Sequence, residues 1–359
     1  MTKQLEETVL GTLFPSWRWG WVLLLVSMVP LAWAAPDGKA LYERHCSACH
    51  QSEGKGGIGL PLTAEILEQL SDEYIARTIR NGRPGRIMPS FERLSDAQVG
   101  AILKYIRSWS DKPAPVFPEV ARRGDARKGK PLYEKFCQRC HGKDGSGEGS
   151  GTGVTLSRER EFMVMPAALN NPGFQRSASD AMIADIIRRG RKVGGMPAFA
   201  KKLDDGQILD LVAYLRTLRP PKPVRGNEEW AGKPAYVMES PYDFDETVAN
   251  LKRALTGANF RIFPARYLEQ GLTDEFSVNK RQIGIRFCNF KELYHLLNID
   301  PRLGTVLPCR INVIERDGKV WLIAPNIVEL AKLFNNRELS EIFVLMEEIL
   351  LGVMEEATL

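Results

Sequence analysis

"GKALYERHCSACH" occupies residues 38–50, and "GKPLYEKFCQRCH" occupies residues 129–141. Gly, Lys, Leu, Tyr, Glu and a closing Cys-x-x-Cys-His stand in register in the two stretches. Two more blocks recur in the same order. "IRNGRPGRIMPSF" (79–91) matches "IRRGRKVGGMPAF" (187–199), and "LSDAQVGAILKYIRSW" (94–109) matches "LDDGQILDLVAYLRTL" (203–218). The intervals differ mainly through extra residues between Cys140 and Gly190. Ordered recurrence of this kind is the mark of a duplicated domain, not of composition.

Each copy reads as helical. Leu41, Tyr42 and Cys46 share a turn-spaced face that leads into the first motif. Ser95 followed by Gln98 is a capping-box start, after which Val99, Ile102, Leu103 and Ile106 recur at helical spacing up to Trp109. Asp204 and Gln207 open the matching helix, with Ile208, Leu211, Val212 and Leu215 on one face. The proline-bearing stretch 111–125 forbids a continuous helix and reads as a stiff, extended connector. "GKDGSGEGSGTG" (142–153) reads as a flexible surface loop.

Several chemistries compete for Cys-x-x-Cys-His. A structural zinc site needs four protein ligands, whereas each copy offers one Cys pair and one His within its own repeat. A redox dithiol belongs beside a βαβ pattern, and none surrounds these copies. Unrelated cysteines do not account for two motifs in register. Covalent haem attachment does: thiols at i and i+3 lie on one helical face and can bond the two vinyl groups, leaving the next residue, His, beside the iron. Cys46, Cys49 and His50 form one such set, and Cys137, Cys140 and His141 the other.

A sixth ligand is expected from Met88 and Met196, which fall at the same repeat position, each before Pro and after a Gly-containing loop. A lone Met is ordinarily a core residue, but the repeated M-P-x-F context favours a ligand. His/Met ligation raises the reduction potential and suits electron transfer. Met165 and Met163 compete with Met196 in the second copy and have no counterpart in the first.

With these residues in place, 38–110 and 126–219 each resemble a class I c-type cytochrome, and together a dihaem cytochrome c. The resemblance implies two covalently bound haem c groups. It also implies a Pro whose carbonyl orients the proximal His ring through its other nitrogen, matched here to Pro61 and Pro166. His45, replaced by Phe136 in the second copy, reads as an exposed residue rather than a ligand.

Past residue 240 the pattern changes. "DETVANLKRALTGANF" reads as a helix, "FRIFPARY" and "RQIGIRFCNF" as strands, "PCRINVIERDGKVWLIAP" as two strands about a turn at Asp317-Gly318, and "ELSEIFVLMEEILLGVM" as a closing amphipathic helix. The run from 286 to 326, with "DPRLG", "LPCR" and "DGKVW", resembles domain-of-unknown-function family 302 over roughly 241–355. Cys288-Asn289-Phe290 stands where that family often has Gly-Asn-Pro. Once haems are attached, Cys288 and Cys309 remain. Three readings stay open for them: a disulfide, two inert thiols, or functional thiols aided by His295.

The expected organisation is multidomain. Residues 1–34 form a signal peptide, 35–110 and 126–219 two all-α cytochrome c domains, 111–125 and 220–240 linkers, and 241–359 a small two-layer α/β (α+β) domain. The signal reading rests on Arg18, the apolar run from Trp21 to Ala35 and the small-x-small Ala32-Trp33-Ala34; that run is shorter than the roughly 20 residues of a usual spanning helix. An uncleaved inner-membrane anchor facing the periplasm is the alternative, and only then would a membrane be a partner. The net charge of +5 makes no case for nucleic acid. It divides into −3 over 241–359 and +8 over the rest, so the haem-bearing part could steer an acidic redox partner or simply be solvated.

The function this implies is a periplasmic dihaem cytochrome c passing single electrons between a dehydrogenase or quinol-oxidising complex and an acceptor. The C-terminal domain would dock a partner or hold the haem units. The alternative is a dihaem enzyme, peroxidase-like or oxidising sulfur compounds, with a displaceable ligand or the Cys288/Cys309 pair at work. Two Met ligands and the lack of a spare Cys in either repeat weigh against it.

Overall fold

The structure, a computed structural model, describes residues 35–117, 123–147, 166–191 and 193–359. The expected signal segment 1–34 and the competing Met163 and Met165 lie outside the described residues. Among the described residues no helix is long and apolar enough to cross a membrane.

The first repeat runs through α1 (Gly38–His45), α2 (Ser47–His50), α3 (Ala64–Leu67), α4 (Asp72–Asn81) and α5 (Asp96–Arg107). The second runs through α6 (Ala126–Phe136), α7 (Gln138–His141), α8 (Pro172–Ser177), α9 (Asp180–Arg189) and α10 (Asp205–Leu215). The shared Gly at the head of each block has a steric cause. A Cβ on Gly38 would stand 2.0 Å from the Ala101 carbonyl oxygen, and one on Gly129 would stand 2.0 Å from that of Asp210. Only a residue without a side chain lets α1 cross α5, and α6 cross α10, at that distance. The expected capping box of Ser95 with Gln98 forms, and Asp204 makes a second one with Gln207 at the start of the matching helix.

Arg107 and Arg216 occupy equivalent places and make equivalent forks. Arg216 donates to Asp180 (2.6 Å) and to the carbonyls of Gln175 (2.7 Å) and Ala178 (2.6 Å). Arg107 donates to Asp72 (2.6 Å) and to the carbonyls of Leu67 (2.6 Å) and Leu70. Each guanidinium thus ties the last helix of its repeat to the turn before the preceding one. Arg216→Ala should lower stability by about 2–3 kcal/mol, since charged hydrogen bonds are lost at a half-buried site. Chemical denaturation would measure it, and an unchanged midpoint would show the fork to be idle.

The two repeats are not separate bodies on a stiff connector. Tyr42, Ile79 and Ile102 of the first share one continuous core with Tyr133, Ile187 and Leu211 of the second, and Phe117 from the expected linker packs against it. The start of the expected surface loop is also buried: Ser146 is only 4% exposed, and Gly145 and Gly147 flank it.

The C-terminal part is a sheet with helices on one face. Its elements are β1 (Ala235–Ser240), α11 (Phe244–Gly257), β2 (Arg261–Ile262), β3 (Arg266–Tyr267), β4 (Gln282–Cys288), α12 (Phe290–Ile299), β5 (Cys309–Arg316), β6 (Lys319–Pro325), α13 (Ile327–Lys332) and α14 (Arg337–Glu356). The strand order is β1-β6-β5-β4-β2, antiparallel throughout, with β3 also on β4. Asp317 and Gly318 make the expected turn, both at positive φ (53° and 74°), as a two-residue hairpin of this twist requires. Alternate residues Ile283, Ile285 and Phe287 of β4 and Ile311 and Val313 of β5 face the helices, where they meet Leu251, Leu255 and Phe343.

The segment 220–240, expected as a linker, instead contains the edge strand β1 and the buried Trp230. It is anchored where Glu347, itself buried, accepts the Asn227 amide (2.7 Å) and the Tyr236 hydroxyl (2.8 Å). Pairing partners far along the chain made a strand of what a local reading took as connector.

Candidate functional site

Each Cys-x-x-Cys-His is a short helical turn entered at a kink. Cys46 ends α1 and opens α2, its carbonyl accepting the amides of Cys49 (3.1 Å) and His50 (2.9 Å); Cys137 does the same for Cys140 (3.1 Å) and His141 (3.0 Å). The repeated Tyr closes the turn. Tyr42 is wholly buried and donates its hydroxyl to the Gln51 carbonyl (2.9 Å), and Tyr133 donates to that of Gly142 (2.7 Å). In both repeats the acceptor is therefore the residue after His. Burial, with the neighbouring Cys adding to it, pushes the Cys46 thiol up to about 11 and Cys137 to about 12. A reactive dithiol needs the opposite shift.

Both His rings are fixed through Nδ1. His50 Nδ1 pairs with the Leu60 carbonyl (2.7 Å) and His141 Nδ1 with the Ala167 carbonyl (3.0 Å). A carbonyl can only accept, so Nδ1 carries the proton and Nε2 keeps its lone pair for a metal. Burial lowers both pKa values, while the carbonyls oppose this and the Arg191 charge adds to it at His141. The orienting oxygens therefore belong to Leu60 and Ala167, not to the expected Pro61 and Pro166. Each acceptor is a neighbour of the expected proline, because the loop path decides which carbonyl faces the ring. The Pro166 oxygen instead faces Gly147, whose Cβ position lies 2.6 Å from it.

A Gly-x-Gly that the sequence reading passed over holds this geometry. The Gly56 amide donates to the His50 carbonyl (2.9 Å), and the Gly147 amide to that of His141 (2.8 Å). Gly54, Gly56, Gly145 and Gly147 all have positive φ, which a side chain would make costly. The signal was present as His-x-x-x-Gly-x-Gly at the same spacing in both repeats.

The two Met residues sit on matching loops. The Arg83 amide donates to the Met88 carbonyl (2.9 Å), and the Arg191 amide to that of Met196 (2.8 Å). Phe91 and Phe199 return each loop to the preceding helix by donating to Ile79 and Ile187 (3.1 Å in both). Phe199 meets Phe136 edge-on at 6.0 Å, and Phe91 meets His45 at 6.0 Å. His45 is thus a partly buried packing residue, not the exposed one expected; the same position packs the Met loop against the Cys-x-x-Cys-His helix in both repeats.

The repeats meet at these loops. Arg86 donates to the carbonyl of Ser146, within the Gly-x-Gly of the second site. Asn171 donates to the Pro84 carbonyl (2.8 Å), and a Cβ on Gly173 would stand 2.0 Å from the Gly82 oxygen. Tyr74 accepts from Arg83 (2.9 Å) and lies close enough to Arg191 to favour its charge, though burial is the larger influence and lowers that pKa. Arg191 Nε is buried and has no hydrogen-bond partner among the described residues. A guanidinium does not shed its charge, so this position calls for an anion such as a haem propionate. Together with an imidazole Nε2 and a thioether in each repeat, the donor set fits haem.

Cys288 and Cys309 are free thiols. Cys309 stands opposite Phe287, one residue out of register with Cys288. Alternation then sends the two side chains to opposite faces of the sheet, which overturns the disulfide reading. Cys288 lines an open cavity of about 440 Å³ with Phe263, Arg286, Leu293, Leu297 and Pro308.

Residues 34–106 and 124–215 match the family described as cytochrome c oxidase, cbb3-type, subunit III, and residues 236–357 match DUF302, a domain of unknown function. The chain joins a tandem cytochrome c region to a DUF302 domain. Its cytochrome region is 29% identical over 203 residues to the cbb3-type cytochrome c oxidase subunit CcoP of Azospirillum brasilense, covering 52% of this chain and 63% of that protein. It is 28% identical over 210 residues to a thiosulfate dehydrogenase electron acceptor of Thiomonas intermedia, covering 54% of this chain and 89% of that one. The chain therefore spans less than two thirds of the oxidase subunit's length. A crystal structure of a DUF302 protein from Bacillus stearothermophilus aligns at 21% identity with a TM-score of 0.33, over 35% of this chain and 99% of that one.

Proposed function

We propose that this chain is an exported dihaem cytochrome c that carries single electrons between redox partner proteins. Cys46 and Cys49 would hold one haem c through thioethers, with His50 and Met88 as axial ligands. Cys137, Cys140, His141 and Met196 would hold the second. When bound, each haem supplies an iron that accepts and returns one electron.

The chain's own residues do the rest. Leu60 and Ala167 keep the imidazoles in the tautomer that presents Nε2. The shared core keeps the two sites in one body, so little rearrangement accompanies a change of charge. Arg191 supplies a buried positive charge beside the second site. The reading rests above all on the duplication of the whole His-fixing device, tyrosine hydroxyl and ring carbonyl alike, in both repeats.

The near-complete coverage of a thiosulfate dehydrogenase electron acceptor supports a place downstream of a dehydrogenase. The apolar run after Arg18, ending in Ala32-Trp33-Ala34, supports export to the periplasm. Intact mass and pyridine haemochrome assay of the purified protein should give two haems per chain, and Cys137→Ala/Cys140→Ala should give one. A wild-type protein with one haem or none would sink the proposal.

A further inference from the structure

We propose that the DUF302 domain clamps the sixth-ligand loop of the first haem, with Asn335 and Ile87 as positioning residues that keep Met88 in place. The proposal rests on the reading of Met88 as that ligand. It gives the DUF302 domain a role, in that the coordination state of one haem depends on how this domain is docked.

Asn335 sits between α13 and α14 and reaches the loop from several sides. Its Oδ1 accepts the Gly85 amide (2.7 Å), and its Nδ2 donates to the carbonyls of Met88 (3.0 Å) and Arg83 (3.3 Å). Its backbone oxygen accepts the Ile87 amide (2.6 Å), and the next turn adds Arg337 donating to Gly85 (3.1 Å). Asn335 does this from the left-handed region (φ 48°), where Asn is among the tolerated residues. The segment is itself held. Arg302 donates to the Phe334 carbonyl (2.6 Å) and pairs with the fully buried Asp300 (2.7 Å), which also accepts from Asn336 (3.3 Å).

Comparison with the second repeat shows why the loop needs a clamp. The residue before each Met is left-handed: Ile87 at φ 72° and Gly195 at φ 67°. Glycine adopts that conformation freely, but for a β-branched residue it is an outlier that persists only where its surroundings over-determine it. Those surroundings come from the other domain. The Ile87 side chain is 5% exposed and belongs to the DUF302 hydrophobic core, not to the cytochrome core. The second loop closes on itself instead, Arg191 and Met196 exchanging both backbone bonds (2.8 and 3.0 Å). In the first loop the Met88 amide turns to Arg86 (2.8 Å), and Arg86 is bridged to Asn336.

The test uses the full-length protein carrying its haems. Asn335→Ala removes the side-chain clasp, and Asn335→Asp keeps the Gly85 acceptor and the backbone preference but loses both donors. In either variant the weak red-end absorption band of ferric His/Met iron should fall to about half. Cyanide should bind one haem at rest, and one reduction potential should drop while the other stays. Near-ultraviolet circular dichroism and melting matching wild type would separate this from unfolding. Ile87→Gly introduced beside Asn335→Ala should restore much of the band, because the loop then no longer carries a strained residue. Two wild-type potentials and an undiminished band in both Asn335 variants would overturn the clamp. Met88→Ala serves as the control: if it leaves the band whole, the ligand reading has failed, and if it halves the band while the Asn335 variants do not, only the clamp has failed.

Discussion

Gly129→Ala should cost the second repeat about 3 kcal/mol or more, at the upper end for overpacking. The added methyl would meet the Asp210 carbonyl oxygen at 2.0 Å, the carbonyl carbon at 2.5 Å and the Tyr214 Cβ at 2.9 Å. The first two are backbone atoms of α10, so no side chain can swing aside. The helices must separate, and Tyr133, wholly buried at the next turn of α6, would lose its place against the core. A fall in melting temperature of roughly 6–12 °C is expected for a unit of this size, together with loss of the haem proposed at Cys137 and Cys140. Gly100 supplies the contrast. It lies within α5 with no atom of the described residues within 4 Å of its Cβ position, so Gly100→Ala should stabilise by about 0.5–1 kcal/mol. Equal melting temperatures for the two variants would refute this account of the repeated Gly-Lys.

Met196→Ala should open one iron and leave the other unchanged. Its loop is tied to Arg191 by a pair of backbone bonds and to α9 through Phe199, so the backbone should stay put while the thioether is lost. Half of the red-end band should vanish, cyanide should bind one haem per chain, and one reduction potential should fall by on the order of 100 mV, since axial ligands set it. The unaffected haem is the internal standard. A spectrum and two potentials identical to wild type would move the ligand elsewhere in the second repeat, to Met165 or Met163.

Much of the cytochrome region was legible because its cues are local and doubled. The Cys-x-x-Cys-His turns, the Ser95 and Asp204 capping boxes and the paired Met loops each depend on residues a few positions apart. Duplication then raised a short motif above chance. The errors fell where a loop path or a distant partner decides. Pro61 and Pro166 were each one residue from the true acceptors, since a sequence does not say which carbonyl a ring will face. His45 carries no local sign of burial, because the ring that packs against it, Phe91, comes from a distant loop. The early part of 142–153 reads as a flexible surface loop, although Gly145 and Gly147 are marked by the matching Gly54 and Gly56.

The sequence by itself determined the duplication, the paired Cys-x-x-Cys-His and Met-Pro motifs and the change of fold class near residue 240, because period, spacing and residue chemistry are written along the chain. Only the tertiary structure decided how the parts act on one another. It merged two helical repeats into one core, drew β1 out of a segment read as linker, and put Cys288 and Cys309 on opposite faces through a register offset of one residue. It also brought Asn335 against the Met88 loop from 247 positions away. Such contacts follow from packing apolar faces laid down by distant segments, and no local period records them.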